Sequence, residues 1–155
     1  MTLTTISGLP AHVLLVHGLV VLAPLTALLE ILCALWPAAR RRLVWLVLAL
    51  ALVTMALTPV TANAGAWLYD REQHHRDILN THADRGSVLI YFSIALLVVA
   101  VVLALLHRRE VRALKPRTVT SVVVAVVAIV VGAAAIVQMV RIGDSGAQAV
   151  WGSTG

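Results

Sequence analysis

Cysteine is almost missing from this chain. Its single copy, Cys33, excludes an internal disulfide and any metal site built from several thiolates. Charge is scarce as well. Of 155 residues 12% are Asp, Glu, Lys or Arg and 61% are hydrophobic, with a mean hydropathy of +0.96, so the composition excludes a soluble globule. There is no HExxH pair for a catalytic zinc and no GxSxG elbow for a nucleophilic serine, which argues against hydrolytic chemistry and against an enzyme acting on its own. The opening MTLTTISGLPAHVLLVHG lacks the basic start of a signal peptide, and its apolar run continues too far for one. It is therefore expected to remain as the first helix.

What is present is apolar sequence in bilayer-sized pieces. A spanning helix needs roughly 20 apolar residues, and the pattern predicts four, at about 11–36, 43–68, 82–106 and 119–141. In the third, the strongly apolar run starts at Ser87, and Asn80 and Thr81 with Asp84 resemble a capping box that starts the helix at about His82. Short connections predict an all-α membrane protein, a single domain over 1–155 forming an up-down-up-down four-helix bundle. Eight basic residues, Arg40, Arg41, Arg42, Arg108, Arg109, Arg112, Lys115 and Arg117, fall in the first and third loops. Four, Arg71, Arg76, Arg85 and Arg141, fall on the other side. The positive-inside rule then puts both termini outside. The net charge of +5 belongs to topology and contact with anionic lipid; the basic residues sit in two short loops with no nucleic-acid reading domain.

Six histidines stand out in such a chain. His12, His17 and His82 lie at or just inside one end of the predicted helices, where ionisable groups are costly and need partners. On the first helix, His12, Ala23, Thr26, Glu30 and Cys33 share one stripe, small and polar, that should face the bundle interior. His17 lies about 140° around from His12, so the two cannot easily hold one ion from this helix alone. Pro24 frees the carbonyl of Val20, either as a plain packing kink or as part of a shaped site. The second helix carries Ala51, Thr54, Thr58, Thr61 and Gly65 on one face, a surface for close helix packing that would also suit a cofactor groove. His75 and His82 would share a face if the segment after Tyr69 were one straight helix; with a cap at Thr81, His74 and His75 are solvated. His107 sits among the loop arginines and is expected to be solvated too. Gln138, Arg141 and Asp144 follow at successive i+3 steps, with Gly143 and Gly146 suited to a helix stop. Arg141 and Asp144 form an interfacial ion pair in the plain reading, with Trp151 an aromatic anchor. In the functional one, Arg141 and Arg85 neutralise carboxylates of a bound cofactor.

Two stretches carry a resemblance. Leu9-Pro10-Ala11-His12-Val13-Leu14-Leu15-Val16-His17 and the closing run from Arg141 to Trp151 look like the two ends of the bacterial predicted-membrane-protein family called domain of unknown function 2231. The resemblance spans the chain and places Thr61 to Gly65 and His82 at matching positions. This chain departs from the family pattern at Val13, where a proline is frequent, and at Asp144, where a histidine is. The resemblance implies four helices in a bacterial cytoplasmic membrane. Related domains joined to Rieske or cytochrome-like modules lean it towards redox work, which is analogy.

The expectation is a protein that holds haem b near its outer face, for membrane electron transfer or as a quinone-linked respiratory subunit. His17 and His82 are the expected axial ligands, with His12, Arg141 and Arg85 around the cofactor. A non-enzymatic anchor or accessory subunit of a larger complex is one alternative. Another is a zinc or copper site of His12, His17, His75 and His82. Transport through Glu30 is a further one, though four short helices would need a homo-oligomer for alternating access.

Overall fold

The structure, a computed structural model, describes residues 5–6, 9–71, 77–112 and 118–152. A short antiparallel ladder, β1 (Thr5–Ile6) with β2 (Leu9–Pro10), leads into α1 (Ala11–Leu35) and α2 (Pro37–Arg71). After these come α3 (Asp77–Ser87), α4 (Leu89–Val111) and α5 (Thr118–Trp151). α3 and α4 meet at Val88 and count as one span. Four spans, His12–Leu35, Pro37–Arg71, Asp77–Val111 and Thr118–Ala149, are long and apolar enough to cross a membrane. Val21, Leu28, Val98, Val130 and Val140 are each more than half exposed, which suits a lipid-facing surface. This is an all-α membrane bundle.

α1 keeps its expected bounds, and the other three spans overrun theirs. α2 begins at Pro37, whose missing N–H costs nothing at a first helical position, so Arg40, Arg41 and Arg42 are helical rather than loop. The same proline cannot donate to the carbonyl of Cys33. Arg40 bends back to do so, its Nη1 donating to Cys33 O at 2.8 Å and to Ala34 O at 3.4 Å. Nε and Nη2 of Arg40 grip the two carboxylate oxygens of Glu110 on α4. Arg40 is only 1% exposed.

α3 starts at Asp77, earlier than the expected cap. Thr81 lies inside it and its hydroxyl donates to Asp77 O at 3.0 Å, the helix-interior alternative open to a threonine. Asn80 instead accepts the Tyr69 hydroxyl, tying α3 to the end of α2. α5 runs past Gly143 and Gly146 without stopping. Neither glycine adopts the left-handed backbone that ends a helix, and Gly146 serves to let a neighbour approach.

The buried interior has three clusters among the described residues, the smallest being Ala27, Leu96 and Ala135. Val44, Val47, Val99, Leu103 and Ala128 pack around Cys33 near Arg40, and Leu19, Ala23, Leu89, Met139 and Ile142 pack at the opposite end. Between them Gly132 of α5 lies against Ile31 of α1, so close that a Cβ there would stand 2.8 Å from Ile31 Cδ1. The N-terminal halves of α1 and α3 meet the C-terminal parts of α2 and α5 at what we call the histidine end. The end of α1, the start of α2 and the end of α4 meet at the arginine end.

Candidate functional site

At the histidine end, His12 opens α1 with its ring turned inward along the buried stripe that continues through Ala23, Thr26 and Glu30. His12 Nδ1 bonds to the carbonyl of Thr61 on α2 at 2.9 Å. His82, in the second turn of α3, bonds through Nδ1 to Ile142 O and to Ser145 Oγ of α5, each at 3.2 Å. The two rings are neighbours, with centroids 6.3 Å apart and planes inclined at 80°.

These partners fix the tautomers. A carbonyl only accepts, so in each histidine the Nδ1 must carry the hydrogen, which leaves Nε2 of the neutral ring with its lone pair. Two imidazoles from different helices, each oriented by a carbonyl through Nδ1, are arranged as metal-ligating histidines usually are.

Glycine makes the approach possible on both sides. A Cβ at Gly65 of α2 would stand 2.8 Å from His12 Cε1 and 2.9 Å from its Nδ1; one at Gly146 of α5 would stand 3.1 Å from His82 Cε1. Gly65 was visible in the sequence as part of a small face. Gly146 was not, since a glycine near a helix end signals a stop before it signals a ring.

Arg85 and Arg141 border the pair. Arg85 lies one turn beyond His82 and its Nη1 donates to Arg141 O at 2.9 Å, while Gln138 Nε2 donates to Arg85 O at 2.9 Å. Arg141 is exposed, and Asp144 pairs with Gln148 Nε2 at 2.9 Å rather than with it. The expected Arg141–Asp144 ion pair is therefore not formed, because the helix continues and offers Asp144 an i+4 amide.

The structure joins His82 to His12 and keeps His17 apart. His17 is exposed on the outer face of α1, its Nδ1 turned back to the carbonyl of Val13. The 140° between the two α1 histidines decides this: with one facing in, the other faces out. His74, His75 and Arg76 lie outside the described residues. His107, at the arginine end, is half-buried beside Trp45, with ring centroids 6.2 Å apart, rather than solvated. Among the described residues no three His, Cys, Asp or Glu side chains converge on one point that could hold a metal ion.

A family model described as predicted membrane protein, domain of unknown function 2231, matches residues 8–154. No curated protein and no solved structure matches the chain.

Proposed function

The chain belongs to the predicted membrane proteins of the domain of unknown function 2231 family, and from this premise we propose that it is a membrane electron-transfer subunit binding haem b through His12 and His82. The observation that carries the reading is the pair itself: two rings on different helices, each with Nδ1 committed to a carbonyl and Nε2 left as a base. The two rings are within 6.3 Å of each other, so His12 and His82 are the residues that would hold the group.

The count of ligands favours haem over a bare ion. The two imidazoles would suffice to hold a haem, but they would leave zinc two ligands short. Among the described residues the pair has no third ligand; His75, which the zinc or copper alternative needs, lies outside them. Arg85 and Arg141 at the rim supply the positive charge that propionates need. When bound, haem contributes one-electron chemistry. The chain's own residues orient the rings, exclude water from the inner side and set the rim charge. By charge bias the histidine end faces outward from a bacterial cytoplasmic membrane, with lipid and a respiratory redox complex as partners.

Absorption spectra of detergent-purified protein, made with ample haem and recorded oxidised and then dithionite-reduced, test the proposal. A sharp reduced α-band is expected in the native chain and in His17→Ala, and its loss in His12→Ala and His82→Ala. A colourless native protein sinks the haem reading. It would favour the accessory-subunit alternative, for which the same two bonds, His12 to Thr61 O and His82 to Ile142 O, merely join helix ends.

A further inference from the structure

A row of buried polar side chains runs inside the bundle between the histidine pair and the arginine end. Thr61, Thr58 and Thr54 lie on α2, Ser93 on α4, and Thr26 and Glu30 on α1; none is more than 5% exposed. Thr58 and Ser93 share a hydrogen bond of 2.7 Å, and the hydroxyls of Thr26 and Thr54 meet at 3.5 Å. Thr54, Thr58 and Thr61 each also donate to a carbonyl one turn back, at 2.8 Å. As helix glue these contacts do little, since an interhelical hydrogen bond in a membrane averages about 0.6 kcal/mol.

Glue also fails to explain Glu30. Its side chain is 0% exposed and neither carboxyl oxygen has a hydrogen-bond partner. It sits one turn, about 6 Å of helix rise, beyond Thr26. One turn further is Cys33, whose carbonyl is held by Arg40. The groups around it do not neutralise it. Arg40 of α2 and Glu110 of α4 are paired with each other, the Cys33 thiol is its neighbour on α1, and the titratable residues of α5, Arg141 and Asp144, lie at the histidine end. A carboxyl in this position is expensive to keep, and intramembrane carboxyls of this kind mark proton or ion paths.

We propose that the row conducts protons through the bundle, with Glu30 as the group that takes up and releases them and the Thr54, Thr58 and Ser93 hydroxyls as relays. A hydroxyl can accept a proton on one side as it gives up another, so no net charge stays on the threonines. A proton entering beside Arg40 and Glu110 protonates Glu30, and one leaving by Thr26, Thr54, Thr58 and Thr61 emerges beneath His12; the hydroxyls must turn from the carbonyls they now donate to, and water must bridge Glu30 to Thr26, Thr54 to Thr58 and Thr58 to Thr61, which share no direct hydroxyl bond. The proposal stands whether or not haem binds at the pair.

The full-length protein, reconstituted in sodium-free phosphatidylcholine and phosphatidylglycerol vesicles holding a trapped pH dye, tests it. A potassium gradient with valinomycin drives protons inward and compensates their charge. Acidification faster than in empty vesicles is expected from the native protein and from His17→Ala. Glu30→Gln should lower the protein-dependent rate at least tenfold. Thr58→Val should lower it, and Thr58→Ser should restore it, a pattern that loss of packing alone does not produce. Matching melting temperatures in detergent identify variants that are folded. A native rate equal to that of empty vesicles overturns the proposal, as does native conduction in folded Glu30→Gln.

Discussion

Two glycines set how closely the imidazoles lie to their helices, and substituting them separates ring placement from ring identity. At Gly65 an added methyl meets the His12 ring at 2.8 Å, a distance no Cβ tolerates, so the ring must move and give up the Thr61 carbonyl. At Gly146 the contact would be 3.1 Å, which a small tilt of His82 relieves. Overpacking of this kind typically costs about 1–3 kcal/mol. Gly65→Ala is expected to lower the detergent melting temperature and, on the proposed function, to lose the reduced α-band; Gly146→Ala should weaken both effects. Equal behaviour in the two variants would mean that the glycines do not control the rings. The stripe that holds His12, Ala23, Thr26 and Glu30 was legible in the sequence, because helical spacing alone groups them. The partner of His12 was not, since a wheel reports direction on one helix and nothing about which residue of another stands opposite. Shared position on the outer side, on different helices, suggested His17 with His82; the direction of the α1 face sets His12 beside His82 instead.

Helix ends are where the sequence misled, and Arg40 shows why. Three adjacent arginines between apolar runs read as a solvated loop, yet Pro37 starts α2 ahead of them and leaves the Cys33 carbonyl without a donor. One arginine is then drawn inward to satisfy it, and Glu110, some seventy positions away, makes the burial tolerable. No local pattern announces a pairing that distant. A cavity of about 580 Å³ opens beside this pair, bordered by Arg41, Thr118 and Ser121. Removing one partner of a buried ion pair typically costs about 3–5 kcal/mol. Glu110 keeps 19% of its side-chain exposure, so Glu110→Gln is expected near the lower limit. Arg40→Lys should also destabilise, because an ammonium cannot grip a carboxylate with two parallel bonds while holding the end of α1. Thermal unfolding in detergent measures both. An unchanged melting temperature in Glu110→Gln would show that water already stabilises Arg40.

For the whole molecule, bilayer length and hydropathy made the four spans legible, while the extra turns at Pro37, Asp77 and beyond Gly146 depended on tertiary partners. Those turns lengthen the helices without changing which ends meet. Charge bias predicts sidedness, and on the two proposals sidedness decides which compartment would supply electrons to the histidine pair and protons to Glu30. The eight basic residues of the first and third connections, against four elsewhere, predict that the arginine end faces the cytoplasm. Alkaline phosphatase fused after Gly155 should then be active and a fluorescent protein fused there dark, with the opposite result for fusions ending at Arg112. If both positions reported the reverse, the His12–His82 pair would face the cytoplasm. An external electron partner would then be excluded, and any proton row would open beneath the histidines on the inner side. The fusions therefore come before any search for a redox partner, because they decide on which side of the membrane to look.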